Sequence, residues 1–205
     1  HTASSSGSGS HRLRHDGESL EDYGQRAAQA LEDELLRVGP ETVMAFMAEP
    51  VVGATAGTLV PAPGYFKRIR EICDKYDILL ILDEVMCGMG RTGTLFACEQ
   101  DGIAPDIACI AKGLGAGYQP IGAMLCSSHI YKTIEEGTGF FQHGHTYNGH
   151  PTAAAAGLAV VSAILDRGLL QRVQTQGDKL ADRLADRFGQ HPHIGDLRGR
   201  GLFYG

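Results

Sequence analysis

Four short apolar runs, separated by segments long enough to form helices, constrain the fold of this chain more than any other feature. The runs cover residues 43–48, 78–82, 107–111 and 121–126. Each run is apolar throughout rather than alternating, which is typical of strands covered on both faces. The pattern therefore predicts an α/β fold.

Helical periodicity fills the intervals around these runs. From residue 20 to 36, apolar side chains recur at three- and four-residue steps, and a Gly-Pro pair follows the last of them. Residues 64–76 carry one apolar face and predict the crossover helix that two parallel strands require. Residues 151–165 and 169–188 predict two further helices. We expect an αβα sandwich with a mostly parallel sheet.

The chain divides into three segments by composition. Residues 1–20 combine Ser, Gly, His and charge with little apolar spacing, so we expect them to be disordered. We expect residues 21–150 to form part of a large domain, and residues 151–205 to form a linking helix and the start of a small C-terminal α+β domain. The chain begins without Met and stops where a strand is starting, which predicts a piece of a longer protein.

Charge and cysteine content exclude several classes of partner. There are 18 Lys+Arg against 24 Asp+Glu and no basic run, which argues against a nucleic-acid partner. No stretch approaches the roughly 20 apolar residues of a membrane span, and no signal peptide is evident. The cysteines are odd in number and form no C-x-x-C pair, so we expect reduced thiols in or near the core and a cytoplasmic protein. They are Cys73, Cys87, Cys98, Cys109 and Cys126.

Two charged residues stand directly after apolar runs. Asp83 follows ILLIL, and Lys112 follows IACIA. Chemistry in open α/β sheets collects at the carboxyl ends of strands, although a charge that merely ends a strand is the commoner case for either residue alone. Together they suit pyridoxal phosphate, which needs a lysine to bind it, an acid against its ring nitrogen and donors around its phosphate. Val85 would then pack against one face of the ring.

Nucleotide binding is the main alternative among local motifs. ILLILDEV resembles the acidic strand of P-loop ATPases, but the sequence has no G-x-x-x-x-G-K-[ST] loop. Residues 88–93 match G-x-G-x-x-G, but two acidic residues precede them and the residues that follow do not predict a helix. We interpret this match as accidental.

Metal binding is a weaker alternative. His143, His145 and His150 lack a neighbouring cysteine or carboxylate, so we expect no metal site there. Asp101 and Asp106 flank a proline-containing turn and are interpreted as turn residues.

Three stretches together resemble the class III aminotransferases of fold type I. They are EPVVGATAG from residue 49, ILLILDEVMCGMGRTGTLFACEQDGIAPDIACIAKGLGAGYQPIGAML from residue 78, and HGHTYNGHPTAAAAGLA from residue 143. The ordered series D-E-V, G-x-G-R-T-G, P-D, A-K-G-L and P-I-G-A is far more specific than any single element. The resemblance extends from about residue 41 to residue 205.

This resemblance implies a role for each matching residue. Asp83 would be the partner of the pyridine nitrogen, Val85 the ring-packing residue and Lys112 the lysine that binds pyridoxal phosphate. Thr146 would reach the cofactor phosphate of the other subunit of a homodimer, and Glu49 would help to order the site. The implied activity is transfer of an amino group from an amine or amino-acid donor to a 2-oxo acid by a ping-pong mechanism.

The sequence departs from the family pattern at two positions. Ala54 and Thr55 stand where members acting on ornithine or 4-aminobutyrate carry a glutamate, which argues against dual specificity for ω-amines and glutamate. Met86 stands where members carry a polar residue near the ring hydroxyl. The family's first phosphate-binding segment and ring-stacking aromatic lie upstream of the matched region, and its substrate arginine lies downstream.

Two other functions remain open at this point. A decarboxylase, racemase or aminomutase of the same fold would use the same lysine and acid. A fragment with no activity of its own is the other alternative, because missing strands would leave exposed sheet edges.

Overall fold

The central sheet forms from the four apolar runs. Its strands are β1 (Ala45–Ala48), β2 (Leu79–Asp83), β3 (Ile107–Ile110) and β4 (Ala123–Cys126), in that spatial order. Strands β1 to β3 run parallel, and β4 is antiparallel to β3. The structure is a computed structural model that describes residues 13–205. It confirms the predicted α/β fold with a mostly parallel sheet.

Helix α1 (Leu20–Val38) begins and ends where the sequence predicts it. The Ser19 hydroxyl accepts a hydrogen bond from the Asp22 backbone N–H at 3.0 Å and so caps the N-terminus. At the other end, the Gly39 N–H donates to the Leu35 carbonyl at 3.0 Å with Gly39 at φ +90°, which stops the helix.

Helix α2 (Tyr65–Lys75) is the crossover between β1 and β2. It packs with α1 against the sheet and forms the main hydrophobic core. The buried members of this core are Ala28, Leu35, Phe46, Phe66, Ile69, Ile72, Cys73, Ile78, Leu80, Leu82 and Cys98. This core holds the sheet rigid behind the strand ends.

The second half of the chain is mainly helical. The predicted helices are α4 (Pro151–Asp166) and α5 (Leu169–Phe188), and both are present. A further helix, α3 (Ser128–Glu136), was not expected from the sequence. The chain then forms the two-stranded hairpin of β5 (Gly199–Arg200) and β6 (Phe203–Tyr204).

The segment expected to be disordered is partly ordered. Residues 1–12 lie outside the described residues, but residues 13–20 form a turn against α1. The Arg26 guanidinium donates to the Glu18 carboxylate at 2.6 Å and to the Leu13 carbonyl at 2.8 Å. This ion pair lowers the pKa of Glu18 to about 2. The Arg26 guanidinium thus attaches this segment to α1, although none of the residues 13–19 is buried.

Strand β4 differs from the expectation of burial on both faces. All four of its residues are exposed, because it lies at the edge of the described sheet and nothing described covers it. The interpretation of all five cysteines as core or near-core thiols is therefore wrong for Cys126, which is exposed. Cys73, Cys87 and Cys98 are buried as expected, and burial raises the pKa of Cys73 to about 11.

No single helix in residues 13–205 is long and apolar enough to cross a membrane. Helices α4 and α5 meet that criterion only as a pair, across a bend of 68°.

Candidate active site

Three neighbouring parallel strands each end in a charged residue at the same edge of the sheet. Glu49 directly follows β1, Asp83 ends β2, and Lys112 follows β3 after one intervening alanine. The register aligns Asp83 with Cys109, and the Glu84 N–H extends this pairing by donating to the Cys109 carbonyl at 2.9 Å. The structure thus brings the predicted acid and lysine to the ends of adjacent strands.

Asp83 has one engaged oxygen and one available oxygen. Its Oδ1 accepts a hydrogen bond from the Val85 backbone N–H at 2.9 Å, which turns the chain sharply after β2. Its Oδ2 has no hydrogen-bond partner among the described residues. The half-buried carboxylate is thus held in orientation while one oxygen can accept from a ligand.

Lys112 lies in an unusual backbone conformation. Its φ is +40°, in the left-handed region that residues with a side chain seldom occupy and that is enriched at functional sites. The next residue, Gly113, packs so closely on Met89 that an added Cβ would lie 2.8 Å from the Met89 Cβ. Contact with the 88–93 loop therefore holds the strained turn. The ammonium group itself makes no ion pair or hydrogen bond with any residue of the described range.

A cavity of about 460 Å³ opens beside Lys112. This volume lies within the usual range for small-molecule sites. The cavity is mostly apolar, and its walls come from the 86–91 loop, α4, α5 and the C-terminal hairpin. Its lining includes Met86, Met89, Arg91, Lys112, Ile164, Leu169, Val173, Leu202 and Phe203.

Glu49 is tied to the backbone rather than free. Its Oε2 accepts from the Gly53 N–H at 2.9 Å. Met86 packs against the same glycine, since an added Cβ at Gly53 would meet the Met86 thioether. This arrangement fits the expectation that Glu49 helps to order the site, and it places the unusual Met86 between Glu49 and the cavity.

Glu84 is a structural site residue that sequence reasoning missed. Its side chain is fully buried, and its two oxygens accept from the backbone N–H groups of Ala97 at 2.7 Å and Cys98 at 2.9 Å. These bonds fix the chain that follows the 88–93 loop. The sequence does contain one indication of this role. Glu84 is the second of two acids within an apolar and glycine-rich segment, and a carboxylate that is buried in such a segment requires hydrogen-bond partners.

Thr146 is not brought together with Asp83 and Lys112. It lies in an exposed segment between α3 and α4, does not line the Lys112 cavity, and has no side-chain hydrogen bond to another described residue. Nearby, His150 Nδ1 accepts from the Ala153 N–H at 3.3 Å and caps α4. Within residues 13–205, no group of three or more His, Cys, Asp or Glu residues could hold a metal ion.

The groups at the strand ends fit the ring and the aldehyde of pyridoxal phosphate. Asp83 offers one unpaired carboxylate oxygen for a protonated ring nitrogen, and Lys112 offers an unpaired amine for the cofactor's aldehyde carbon. Half-buried Val85 stands next to them, held by its bond to Asp83. These are the groups through which a protein binds this cofactor and tunes it.

A mostly parallel sheet with a lysine and a carboxylate at the ends of adjacent strands matches the class of pyridoxal phosphate-dependent enzymes of fold type I. The family model described as aminotransferase class-III matches residues 9–205. The chain belongs to the class III aminotransferase family.

Individual relatives agree with this membership. An aminotransferase of Gibberella zeae is 48% identical over 195 residues, which cover 95% of this chain and 38% of the relative. Gamma aminobutyrate transaminase 3, chloroplastic, of Solanum lycopersicum is 42% identical, with 95% of this chain and 38% of the relative covered. The crystal structure of an (S)-enantioselective omega-transaminase from Thermomicrobium roseum superposes with a TM-score of 0.86 at 42% identity, covering 91% of this chain and 41% of that one. The chain spans about two fifths of the length of these relatives.

Proposed function

We propose that the protein carrying this chain is a transaminase that uses pyridoxal phosphate to move an amino group from an amine or amino-acid donor to a 2-oxo acid. The observation that carries this proposal is the unpaired Asp83 oxygen and the unpaired Lys112 amine at the ends of adjacent strands, in a member of the class III family. The names of two relatives, a gamma aminobutyrate transaminase and an omega-transaminase, support amino-group transfer as the reaction.

Each residue has a distinct task in this proposal. When bound, the cofactor supplies an electron-withdrawing ring that stabilises negative charge at the substrate's Cα. Asp83 would keep a proton on the ring nitrogen through its available oxygen, and Val85 would help to hold the ring. Lys112 would hold the cofactor through Nζ, and its amine, when free, would move a proton at the substrate carbon that carries the amino group. A positioned proton-transfer group typically contributes about 10²–10⁴-fold to the rate.

The shared lysine favours a ping-pong order. Donor and acceptor both need their reacting carbon within reach of the same Lys112 Nζ, so they compete for one position in the cavity. The first oxo product must leave before the acceptor enters. Initial rates measured at several acceptor concentrations are therefore expected to give parallel double-reciprocal lines.

We also propose a cytoplasmic homodimer. Free cysteines throughout the described residues suit a reducing compartment. The exposed segment that carries Thr146 borders a second cavity of about 530 Å³, lined in part by His145, Tyr147 and His150. The family resemblance assigns the threonine of this segment to the phosphate of the other subunit, which suits its exposure here.

The test is an absorbance spectrum of the full-length protein with pyridoxal phosphate, before and after borohydride reduction. We expect a visible band that reduction removes, and a reduced adduct that peptide mapping locates on Lys112. An adduct confined to other lysines would refute the assignment. Incubation with an amine donor alone should then release one equivalent of oxo product per site, whereas a decarboxylase or racemase would release none.

A further inference from the structure

The turn at residues 53–58 is held in a strained shape beside the site. It follows β1 and Glu49, and the Thr58 N–H closes it by donating to the Gly53 carbonyl at 3.2 Å. Gly57 and Thr58 have φ of +62° and +56°, so two consecutive residues occupy the left-handed region. A residue with a side chain at such an angle persists only when surrounding contacts hold it there.

Arg198 supplies those contacts from the C-terminal hairpin. Its Nε donates to the Gly57 carbonyl at 2.9 Å, and its Nη2 donates to the Ala56 carbonyl at 2.7 Å. Its Nη1 donates to the Asp196 carboxylate at 2.6 Å, which fixes the plane of the guanidinium. One guanidinium group therefore donates to two successive carbonyls of the turn, and its planar arrangement of N–H donors suits this geometry.

The backbone reinforces the same junction. Arg198 and Gly205 exchange two backbone hydrogen bonds, of 3.1 and 2.9 Å, across the hairpin. Gly205 lies so close to the turn that an added Cβ would be 2.6 Å from the Gly57 carbonyl oxygen. The hairpin and the turn therefore form one packed unit.

The 53–58 turn is connected to the cavity through two successive contacts. Its first residue, Gly53, donates to Glu49 and packs against Met86. Met86 in turn lines the cavity beside Lys112. A displacement of the turn is therefore transmitted to the wall of the cavity through Met86.

We propose that Arg198 is a positioning residue, which fixes the 53–58 turn and, through the contact of Gly53 with Met86, sets Met86 at the wall of the cavity where the amino donor binds. The link to the amino donor rests on the proposed function. Arg198 acts on substrate affinity rather than on the proton transfer, because it contacts neither Asp83 nor Lys112.

The first test is hydrogen exchange at the turn, which does not depend on activity. In the full-length protein we expect Arg198→Ala to speed exchange of the Gly53 and Thr58 amides by at least about tenfold, the factor for loss of one of the two charge-assisted hydrogen bonds that Arg198 donates to the turn. Arg200→Ala is the matched control, because Arg200 lies in the same hairpin but pairs with Asp101 at 3.4 Å. Arg198→Lys should give an intermediate rate, since one ammonium group cannot reproduce the fork. Unchanged exchange in Arg198→Ala would overturn the proposal.

The second test is steady-state kinetics on the same variants. We expect Arg198→Ala to raise KM for the amino donor about tenfold and to leave kcat nearly unchanged. Arg200→Ala should change neither, and the two alanine variants should unfold at similar temperatures. Faster exchange at the turn with an unchanged KM would limit Arg198 to a structural role and overturn the positioning claim. A wild-type protein that transfers no amino group would refute the proposed function, and the exchange experiment would still decide whether Arg198 holds the turn.

Discussion

The helix pair α1–α2 and the carboxyl edge of the sheet both carry charged residues, but the two regions satisfy those charges differently. In the helix pair, the buried Glu32 carboxylate accepts from Lys75 at 2.5 Å, Tyr76 and Arg68 at 2.9 Å each, and Gln29 at 3.0 Å. We refer to these five residues as the Glu32 cluster. Every oxygen of its central carboxylate is occupied, so it joins two helices and has no capacity left for a ligand.

The edge of the sheet shows the opposite arrangement. Asp83 has one partner, and Lys112 has none within the part of the chain that the structure describes. Lys112 also carries backbone strain. Asp83 and Lys112 thus differ from the Glu32 carboxylate in keeping hydrogen-bonding capacity for a ligand, which a binding site requires.

The largest expected effect tests this distinction with two lysines. Lys112→Ala should reduce transamination by at least about 10²–10⁴-fold in the full-length protein, because it removes the cofactor-binding and proton-transfer amine. Lys75→Ala should lower the unfolding temperature and leave turnover near wild type, because it removes only a partner of Glu32. Turnover by single-point assay and thermal unfolding would be measured on both. Retained transamination in Lys112→Ala would refute the assignment.

A second comparison uses two aspartates. Asp83→Asn should reduce turnover about 100-fold, since it removes the charge that holds the ring nitrogen protonated, and should keep the fold because an amide oxygen can still accept from Val85. Asp106→Asn should instead lower stability by about 1.5–3 kcal/mol, because Asp106 accepts from the Arg70 guanidinium and the Leu80 N–H, each at 2.7 Å. Unchanged kcat in Asp83→Asn would remove Asp83 from its role.

Glu84 allows a comparison within one segment, because it is next to Asp83 in the sequence but both of its carboxylate oxygens accept hydrogen bonds. Glu84→Gln should lower the free energy of unfolding by about 1–3 kcal/mol, since an amide can accept only one of the two backbone N–H bonds. KM and kcat of the folded variant should stay close to wild type. Denaturant unfolding and initial rates measure the two quantities, and a large loss of kcat without loss of stability would place Glu84 with the chemical residues.

The smallest expected effect is a loss of folding stability at low pH that arises from Glu32. Hydrogen bonds from Lys75, then Tyr76 and Gln29, lower the pKa of Glu32 from 4.5 to about 2. Because the folded pKa is the lower one, its contribution to stability is complete above pH 4.5 and disappears as the pH falls toward 2. Unfolding curves between pH 7 and pH 2 should therefore converge for wild type and Glu32→Gln. A difference in stability between wild type and Glu32→Gln that stays constant from pH 7 to pH 2 would contradict the pairing of Glu32 with Lys75.

Much of the fold can be predicted from local sequence pattern, but helix α3 and the direction of β4 cannot. Apolar runs and caps such as Ser19 and Gly39 act within a few residues, so the sequence predicts α1, α2 and the parallel strands. Helix α3 was missed because its nine residues carry only three large apolar side chains, Ile130, Tyr131 and Ile134, which are too few to establish a helical period. The antiparallel direction of β4 depends on pairing with β3, which no local signal encodes.

The candidate site divides in the same way. Asp83 and Lys112 follow apolar runs and could be placed at strand ends from spacing alone. Asp106 was interpreted as a turn residue, but its carboxylate also accepts from Arg70, 36 residues earlier. Glu84 and Arg198 act through partners fixed only by tertiary packing. Sequence therefore places the predicted catalytic residues at the strand ends, and structure locates the residues that hold the surrounding loops.

The distance along the chain between Arg198 and its turn has a consequence for assembly. The bond from Arg198 to Gly57 joins residues 141 positions apart, whereas β2 and β3 pair residues much closer in sequence, such as Asp83 with Cys109. Contacts of large sequence separation close the largest loops and tend to form last during folding. The sheet edge should thus be organised early, and the cavity wall should reach its final shape only when the hairpin docks. Substrate discrimination would then be the last property that this molecule acquires as it folds.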